Sequence, residues 1–423
     1  MKVLTVHNHY QQPGGEDVVF EAERRLLSRH GHDVVVFEEN NDSIQANSMS
    51  RSIRLAARTI WSQVSYDKLA DVIRRSHPDV AHFHNTIPLI SPSAYYACHR
   101  MGVPVVQTLH NYRLVCPAGN FFRGHAVCEE CVEHTLLRSV RYGCYRQSRP
   151  ATATVAAMLT LHRSRGTWDR MVDRYVALTE FARRKFRAAG LPAFKLAVKP
   201  NFVEAEPGIG FHSRSYALFV GRLTEEKGIA TLLKAWDKVS DIALRLAGDG
   251  PMLQQLEQQI QKYARANVTY LGQVPRDEIV PLMKAARFLV FPSQWYEGFP
   301  MTIAEAYACG TPVIASRLGA MQEIVHDERT GLHFTPGDAD DLARKVEWAW
   351  AHPDEMREMG QNARAEYEAK YTPERNYKML MNVYEQATQE ARKSRIESVF
   401  HHTPNFSLEP QGRRKEDWLD NGN

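Results

Sequence analysis

Apolar positions along the chain fall into short continuous runs, each followed by a stretch with helical spacing. Residues 2–6 are one such run, and within 16–30 Val19, Ala22, Leu26 and Leu27 share a helical face. A second run at 33–37 completes a strand–helix–strand opening, with Gly14 and Gly15 at its first turn. Glycine there lets the backbone approach a ligand, although the turn alone is an equally good reason for it. The G-x-G-x-x-G fingerprint is missing, so a dinucleotide is not the indicated ligand. Residues 50–76 read as one long helix or two short ones. Arg51, Arg54 and Arg58 lie on one face, and Ile53, Ala57, Ile60, Trp61 and Val64 on another. A domain helix with a solvated basic side is the preferred reading, and contact with an anionic membrane the other.

Runs at 79–83 and 104–109 end in His82-Phe83-His84-Asn85 and His110-Asn111-Tyr112. Histidines at the ends of successive parallel strands sit where open α/β sheets take ligands. They are not read as a metal site, because no carboxylate or cysteine stands at ligand spacing beside them. An arginine-rich segment, 138–187, encloses an apolar helix at 151–161. A strand at 175–178 and a helix starting at Thr179-Glu180 follow. Pro200, Pro207, Gly208 and Gly210 mark a linker. Beyond it, strands at 216–220, 243–247, 268–271, 288–291 and 313–315 alternate with helical patterns, which predicts a parallel sheet covered on both faces. The expected organisation is α/β with two Rossmann-like domains. The first is 1–200, with a cysteine-rich insertion at 112–150, and the second is 201–372. A helix at 373–393 and a mobile polar tail at 394–423 complete the chain.

Composition changes this picture little. A net charge of +4 over 423 residues gives no argument for nucleic acid, and an apolar fraction of 43% supports well-buried cores. No apolar run reaches a spanning length or resembles a leader, so the expectation is a cytoplasmic protein, soluble or peripheral on the inner membrane face. Six cysteines do not suggest a secreted disulfide scaffold.

The candidate chemistry centres on 293–316, SQWYEGFPMTIAEAYACGTPVIAS. Pro300 is read as the first residue of a helix closed by Cys309-Gly310. Glu297 lies in the loop before it and Glu305 inside it, with Gly298, Phe299, Pro300, Met301 and Thr302 between them. Unpaired N–H groups at a helix N-terminus suit an anion such as a diphosphate. Flanking carboxylates suit hydroxyls, as on a sugar and a ribose. Earlier, Gly221-Arg222-Leu223-Thr224-Glu225-Glu226-Lys227-Gly228 follows a strand, and Arg222 and Lys227 are expected to converge on a diphosphate. Asp338-Ala339-Asp340 matches an Asp-x-Asp metal motif but is better read as a helix N-cap. Cys116, Cys128, Cys131 and Cys144 include a C-x-x-C pair in a polar loop. A structural zinc and free or reversibly bridged thiols are equally good readings of them.

The Glu-Gly-Phe-Pro string with a glutamate eight residues after the first resembles the retaining glycosyltransferases of family 4, which have the GT-B fold. The resemblance covers about residues 1–390. It implies that Glu297 holds the donor sugar, Glu305 the nucleotide ribose, and Arg222 and Lys227 the pyrophosphate. It also implies that Gly15 faces the cleft near the phosphates, that Gly248-Asp249-Gly250-Pro251 helps form the nucleotide pocket, that His110 points at the sugar, and that His84 lies near the acceptor. The implied activity is transfer of a hexose from a UDP- or GDP-sugar to a glycan or polyprenyl-linked acceptor, without a catalytic metal, in surface-polysaccharide biosynthesis. Rivals are another GT-B enzyme, such as a sugar-nucleotide epimerase or a phosphorylase, and a non-catalytic zinc-knuckled module for lipid or nucleic acid.

Overall fold

The structure, a computed structural model, describes residues 1–11, 14–44, 48–204, 207–210, 215–239, 241–262 and 267–401, except the side chains of residues 262 and 394–401. Its framework is two six-stranded parallel sheets. The first contains β1 (Lys2–His9), β2 (Asp33–Asn40), β3 (Val80–Phe83), β4 (Val105–Leu109), β5 (Arg174–Ala177) and β6 (Leu196–Val198), in the order β2-β1-β3-β4-β5-β6. The second contains β7 (Ala217–Val220), β8 (Leu244–Ala247), β9 (Val268–Tyr270), β10 (Phe288–Phe291), β11 (Val313–Ser316) and β12 (Gly331–Phe334), in the order β9-β8-β7-β10-β11-β12. Both are doubly wound. The register places Val3 opposite both Val34 and Val80. The strands are apolar without alternation because helices cover both faces; Val3, Leu4 and Val6 are fully buried.

The short strands β6 and β12 are additions to the sequence-based reading. Gly331 opens β12 because a side chain there would lie 1.9 Å from the Val313 carbonyl oxygen. The 50–76 segment forms two helices, Met49–Ile60 and Gln63–Ser76. Their faces differ from the expectation. Ile53 is 62% exposed, while Arg58 donates to the Leu89 carbonyl at 2.8 Å and pairs with Glu39 at 3.2 Å. The exposed side therefore carries Arg51 and Arg54 together with Ile53 and Ala57, rather than basic residues alone. Among the described residues, no helix is long and apolar enough to cross a membrane.

The helix Pro373–His401 runs past the expected end at 393, so residues 394–401 are helical; 402–423 of the expected tail lie outside the described residues. This helix returns to the first sheet. Leu380, Val383, Tyr384 and Ala387 share one core with Val3, Val80, Val106 and Val176. Burial of Leu380 and Val383 contributes roughly 1.5–3 kcal/mol each, more than the Arg174–Glu390 ion pair at the same interface.

Candidate active site

Ligands of doubly wound sheets sit where the strand order reverses, outside the carboxyl ends of the strands. In the second sheet that point lies between β7 and β10, so the loops 221–228 and 292–298 meet there. Glycine allows the approach. Gly228 has φ +74°, and a Cβ on it would lie 1.9 Å from the Pro292 carbonyl oxygen. The Glu226 carbonyl then accepts from the Gln294 N–H at 2.8 Å. The next loop is tied in where the Leu223 N–H donates to the Asp249 carbonyl at 2.8 Å.

This packing sets Lys227 against Glu297, two residues 70 apart in sequence, with Nζ donating to Oε1 at 2.7 Å. The same oxygen accepts from the Ser293 hydroxyl and the Trp295 indole N–H, each at 2.6 Å. The side chains of Lys227 and Glu297 are 16% and 7% exposed. The ammonium also lies 5.6 Å from the Trp295 ring centre. Arg222 does not join it. That guanidinium is 67% exposed and, among the described residues, pairs with Glu226 at 4.0 Å, so it stands at the rim of the Lys227–Glu297 pair.

The helix after β10 is Met301–Ala308, with Pro300 as its N-cap rather than its first helical residue, a shift of one position. Phe299 is buried against Tyr371, Met301 and Thr302 are half-buried, and Gly310 follows the helix with φ +69°. Glu305 accepts from Arg276 at 3.0 Å, and burial raises its pKa against the pull of that arginine. Asp338 caps the helix Ala339–Ala351, its Oδ1 accepting from the Asp340 and Asp341 N–H groups at 2.9 Å.

The facing wall comes from the first sheet. The Tyr112 hydroxyl donates to the Glu297 carbonyl at 3.2 Å, and a Cβ on Gly298 would lie 2.4 Å from the His110 carbonyl oxygen. The His110 backbone therefore packs directly against the Gly298 backbone, next to Glu297. Burial holds the pKa of His110 well below the ordinary histidine value. Gly15 opens the helix Gly15–Arg29, and a Cβ there would meet nothing within 4 Å. His84, expected beside the acceptor, is 3% exposed and is instead buried behind His110.

Carboxylates do stand beside the histidines, contrary to expectation, because the helix Gly15–Arg29 delivers them from a distance in sequence. Asp17 meets His7 at 2.9 Å and His9 at 3.2 Å, and Glu23 meets His82 at 2.9 Å. The Lys199 ammonium, 2.8 Å from Glu23, already supplies the positive charge a metal would bring to that group.

Three further features escaped the sequence. Glu16 accepts from Tyr10 and Asn111 at 3.2 Å each, and burial lifts its pKa to about 7 despite Arg113 nearby. Glu323, from the second domain, accepts from the Glu180 and Phe181 N–H groups at 2.7 and 2.6 Å, capping a first-domain helix. Glu129, in the insertion, accepts from Tyr296 at 2.8 Å and from Lys185 at 2.5 Å, beside the Glu297 loop. Of the three, Glu16 alone carries a local hint, an acidic residue in the first turn of its helix.

The insertion itself folds as a hairpin, Phe122–Arg123 with Ala126–Val127, and two short helices, Glu130–Glu133 and Leu137–Tyr142. Cys116 is buried and Cys128, Cys131 and Cys144 are half-buried. Burial raises the Cys131 thiol to about 12, and Cys116, Cys144 and Cys128 add to the rise, so the four share one electrostatic neighbourhood. Among the described residues, the groups that bring three candidate ligand atoms within 4.8 Å of one another contain no cysteine.

Residues 13–207 match the model of Glycosyltransferase Family 4, and 207–366 that of Glycosyl transferases group 1. The chain belongs to glycosyltransferase family 4. Among relatives of this family-4 chain, an uncharacterized glycosyltransferase of Methanocaldococcus jannaschii is 32% identical over 41% of the chain and 48% of the relative. The D-rhamnosyltransferase WbpZ of Pseudomonas aeruginosa is 32% identical over 37% of the chain and 42% of the relative. The chain thus spans about half the length of the curated relatives it matches. HepE of Anabaena, solved in complex with UDP, superposes with a TM-score of 0.65 over 90% of the chain and 99% of that structure, at 19% identity. Its likeness establishes the GT-B fold for the family-4 chain, whose two family models meet at residue 207, between β6 and β7.

Proposed function

We propose that this family-4 protein is a nucleotide-sugar-dependent glycosyltransferase. It moves a hexose from a UDP- or GDP-sugar to a glycan or polyprenyl-linked acceptor, with retention of anomeric configuration and without a catalytic metal. The observation that carries the proposal is the Lys227–Glu297 pair at the strand-order reversal, in front of the helix Met301–Ala308 and beside His110. Breaking the bond to a nucleoside diphosphate builds negative charge on the leaving phosphate. Lys227, Arg222 and the first-turn N–H groups of that helix are the groups to absorb it. Glu297 receives all three of its donors on Oε1, so Oε2 is the oxygen left to orient donor-sugar hydroxyls. Glu305 takes the ribose, and His110 meets the sugar from the opposite wall. Gly15, with open space around it, lets the first domain approach the phosphates.

The activities named for relatives support a surface-polysaccharide role: a D-rhamnosyltransferase of Pseudomonas aeruginosa and an O-antigen chain mannosyltransferase of Escherichia coli are among them. HepE also crystallises with UDP-glucose, which supports the donor class. The exposed Arg51, Arg54 and Ile53 are the surface for a peripheral membrane contact at the cytoplasmic face. A structural zinc on Cys116, Cys128, Cys131 and Cys144 is a separate part of the proposal. The four-thiol donor set and its shared neighbourhood support it.

The test is turnover of sugar nucleotides on short glycan and polyprenyl-phosphate acceptors, with product configuration read by proton NMR and with EDTA present. Retention of the donor configuration and unchanged rates in EDTA are expected. Inversion, or loss of activity that magnesium restores, contradicts the respective part.

A further inference from the structure

A buried polar chain runs from the returning helix to the site histidine, and it uses residues with no place in the mechanism above. Asn376 donates to the Pro200 carbonyl at 2.6 Å and accepts from the Lys199 ammonium at 3.1 Å. Lys199 pairs with Glu23 Oε2 at 2.8 Å, and Glu23 Oε1 lies in electrostatic contact, outside hydrogen-bond geometry, 2.9 Å from His82 Nδ1 (itself 2.9 Å from the Tyr384 hydroxyl) and 3.5 Å from His84 Nε2. His84 Nδ1 stands 2.9 Å from His110 Nε2. Glu23, Lys199, His82 and His84 are all at most 3% exposed.

The proton positions in this chain are not free. Burial alone would neutralise Glu23, but the Lys199 ammonium and the His82 ring outweigh it and hold the pKa well below the ordinary value, so Glu23 is a carboxylate. A carboxylate offers only lone pairs. The ring nitrogen of His84 that faces it, Nε2, must carry hydrogen, since two lone pairs opposed in a dry interior repel. Burial and the neighbouring His82 hold the pKa of His84 at about 3, so the ring is neutral and its Nδ1 is bare. His110 is also neutral, and its Nε2 can meet a bare nitrogen only by donating to it.

We propose that Glu23 and His84 are positioning residues that fix His110 as its Nε2–H tautomer, leaving Nδ1 as an acceptor for a hydroxyl of the bound sugar. The role at the sugar rests on the functional reading above; the tautomer does not. His110 then selects a hydroxyl that donates, and the returning helix is coupled to the site through Lys199.

The experiment is long-range proton–nitrogen NMR on the full chain labelled with nitrogen-15 histidine, with the His110 signals assigned by their loss in His110→Asn. The wild type is expected to carry the His110 proton on Nε2. The paired variant Glu23→Met with Lys199→Met removes both charges together and avoids a lone buried ammonium. Its His110 is expected to become a mixture of tautomers, with kcat about tenfold lower. The variant Glu23→Gln with Lys199→Met keeps an acceptor oxygen for His84 and is expected to restore both. A wild-type proton on Nδ1 overturns the inference without any variant. So does a fall in kcat with the tautomer unchanged, because the effect is then merely structural. If the wild type turns over no sugar nucleotide, the functional reading falls while the tautomer result stands by itself.

Discussion

Replacing Lys227 with methionine removes one ammonium and leaves the side-chain volume nearly intact. Glu297 would keep its hydrogen bonds from Ser293 and Trp295, each 2.6 Å. An unpartnered buried charge costs about 3–5 kcal/mol, but a carboxylate with two donors left should cost only about 1–2 kcal/mol. The folded protein should therefore survive with a modestly lower melting temperature. Turnover should suffer more. A preorganised cation aimed at the leaving phosphate is worth about 10²- to 10³-fold in kcat, or ~2.7–4 kcal/mol. The assay is steady-state kinetics with saturating donor, at a temperature where circular dichroism shows the variant folded. A kcat within about threefold of wild type would refute the reasoning. The Coulomb partner of Glu297 would then be a structural ion pair rather than part of the machinery.

Arg276→Ala frees Glu305 from its 3.0 Å partner and should raise the carboxyl pKa further, weakening ribose binding; isothermal titration with UDP over a pH series, variant beside wild type, checks this. The Glu16 carboxyl, lifted to about 7, binds more protons in the folded than the unfolded chain between its unfolded value and 7. Stability should fall as pH rises through that window, and Glu16→Gln should flatten the fall in thermal melts from pH 4 to pH 8. Glu323→Gln removes the carboxylate that caps the helix Glu180–Ala188 across the domains, so small-angle scattering should show a more open molecule. Purified protein should contain about one zinc per chain; elemental analysis at zero removes the metal reading of the cysteines.

The architecture was largely legible. Continuous apolar runs bounded by Gly and Pro mark ten of the strands now assigned to the two sheets, because strands buried on both faces leave no polar alternation to confuse. β6 and β12 escaped as three- and four-residue strands, the second containing a histidine. Glu297 and Lys227 could be singled out from their loops, but not their contact. A separation of 70 residues leaves no local periodicity, and only the strand order brings the two loops together. The same holds for Arg276 with Glu305, and for Glu23 with His82 and His84. Arg222 shows the converse. Its spacing from Lys227 suggested a shared target, whereas the 3-10 turn Glu225–Lys227 points the lysine at Glu297 and leaves the arginine at the surface. The mixed exposed face of Met49–Ile60 follows from a similar cause, since Glu39 on β2 draws Arg58 inward.

The central claim is that the loops at the second reversal point bind a sugar nucleotide through Lys227 and Glu297. Calorimetric titration of the wild type and of Lys227→Met with UDP-, GDP- and ADP-sugars tests it most directly. The account predicts selective binding of one nucleotide class by the wild type, weakened at least tenfold in the variant, as expected on losing a charge-assisted contact of about 1.5–3 kcal/mol. Binding of equal strength in both proteins, or none to any sugar nucleotide, would contradict it.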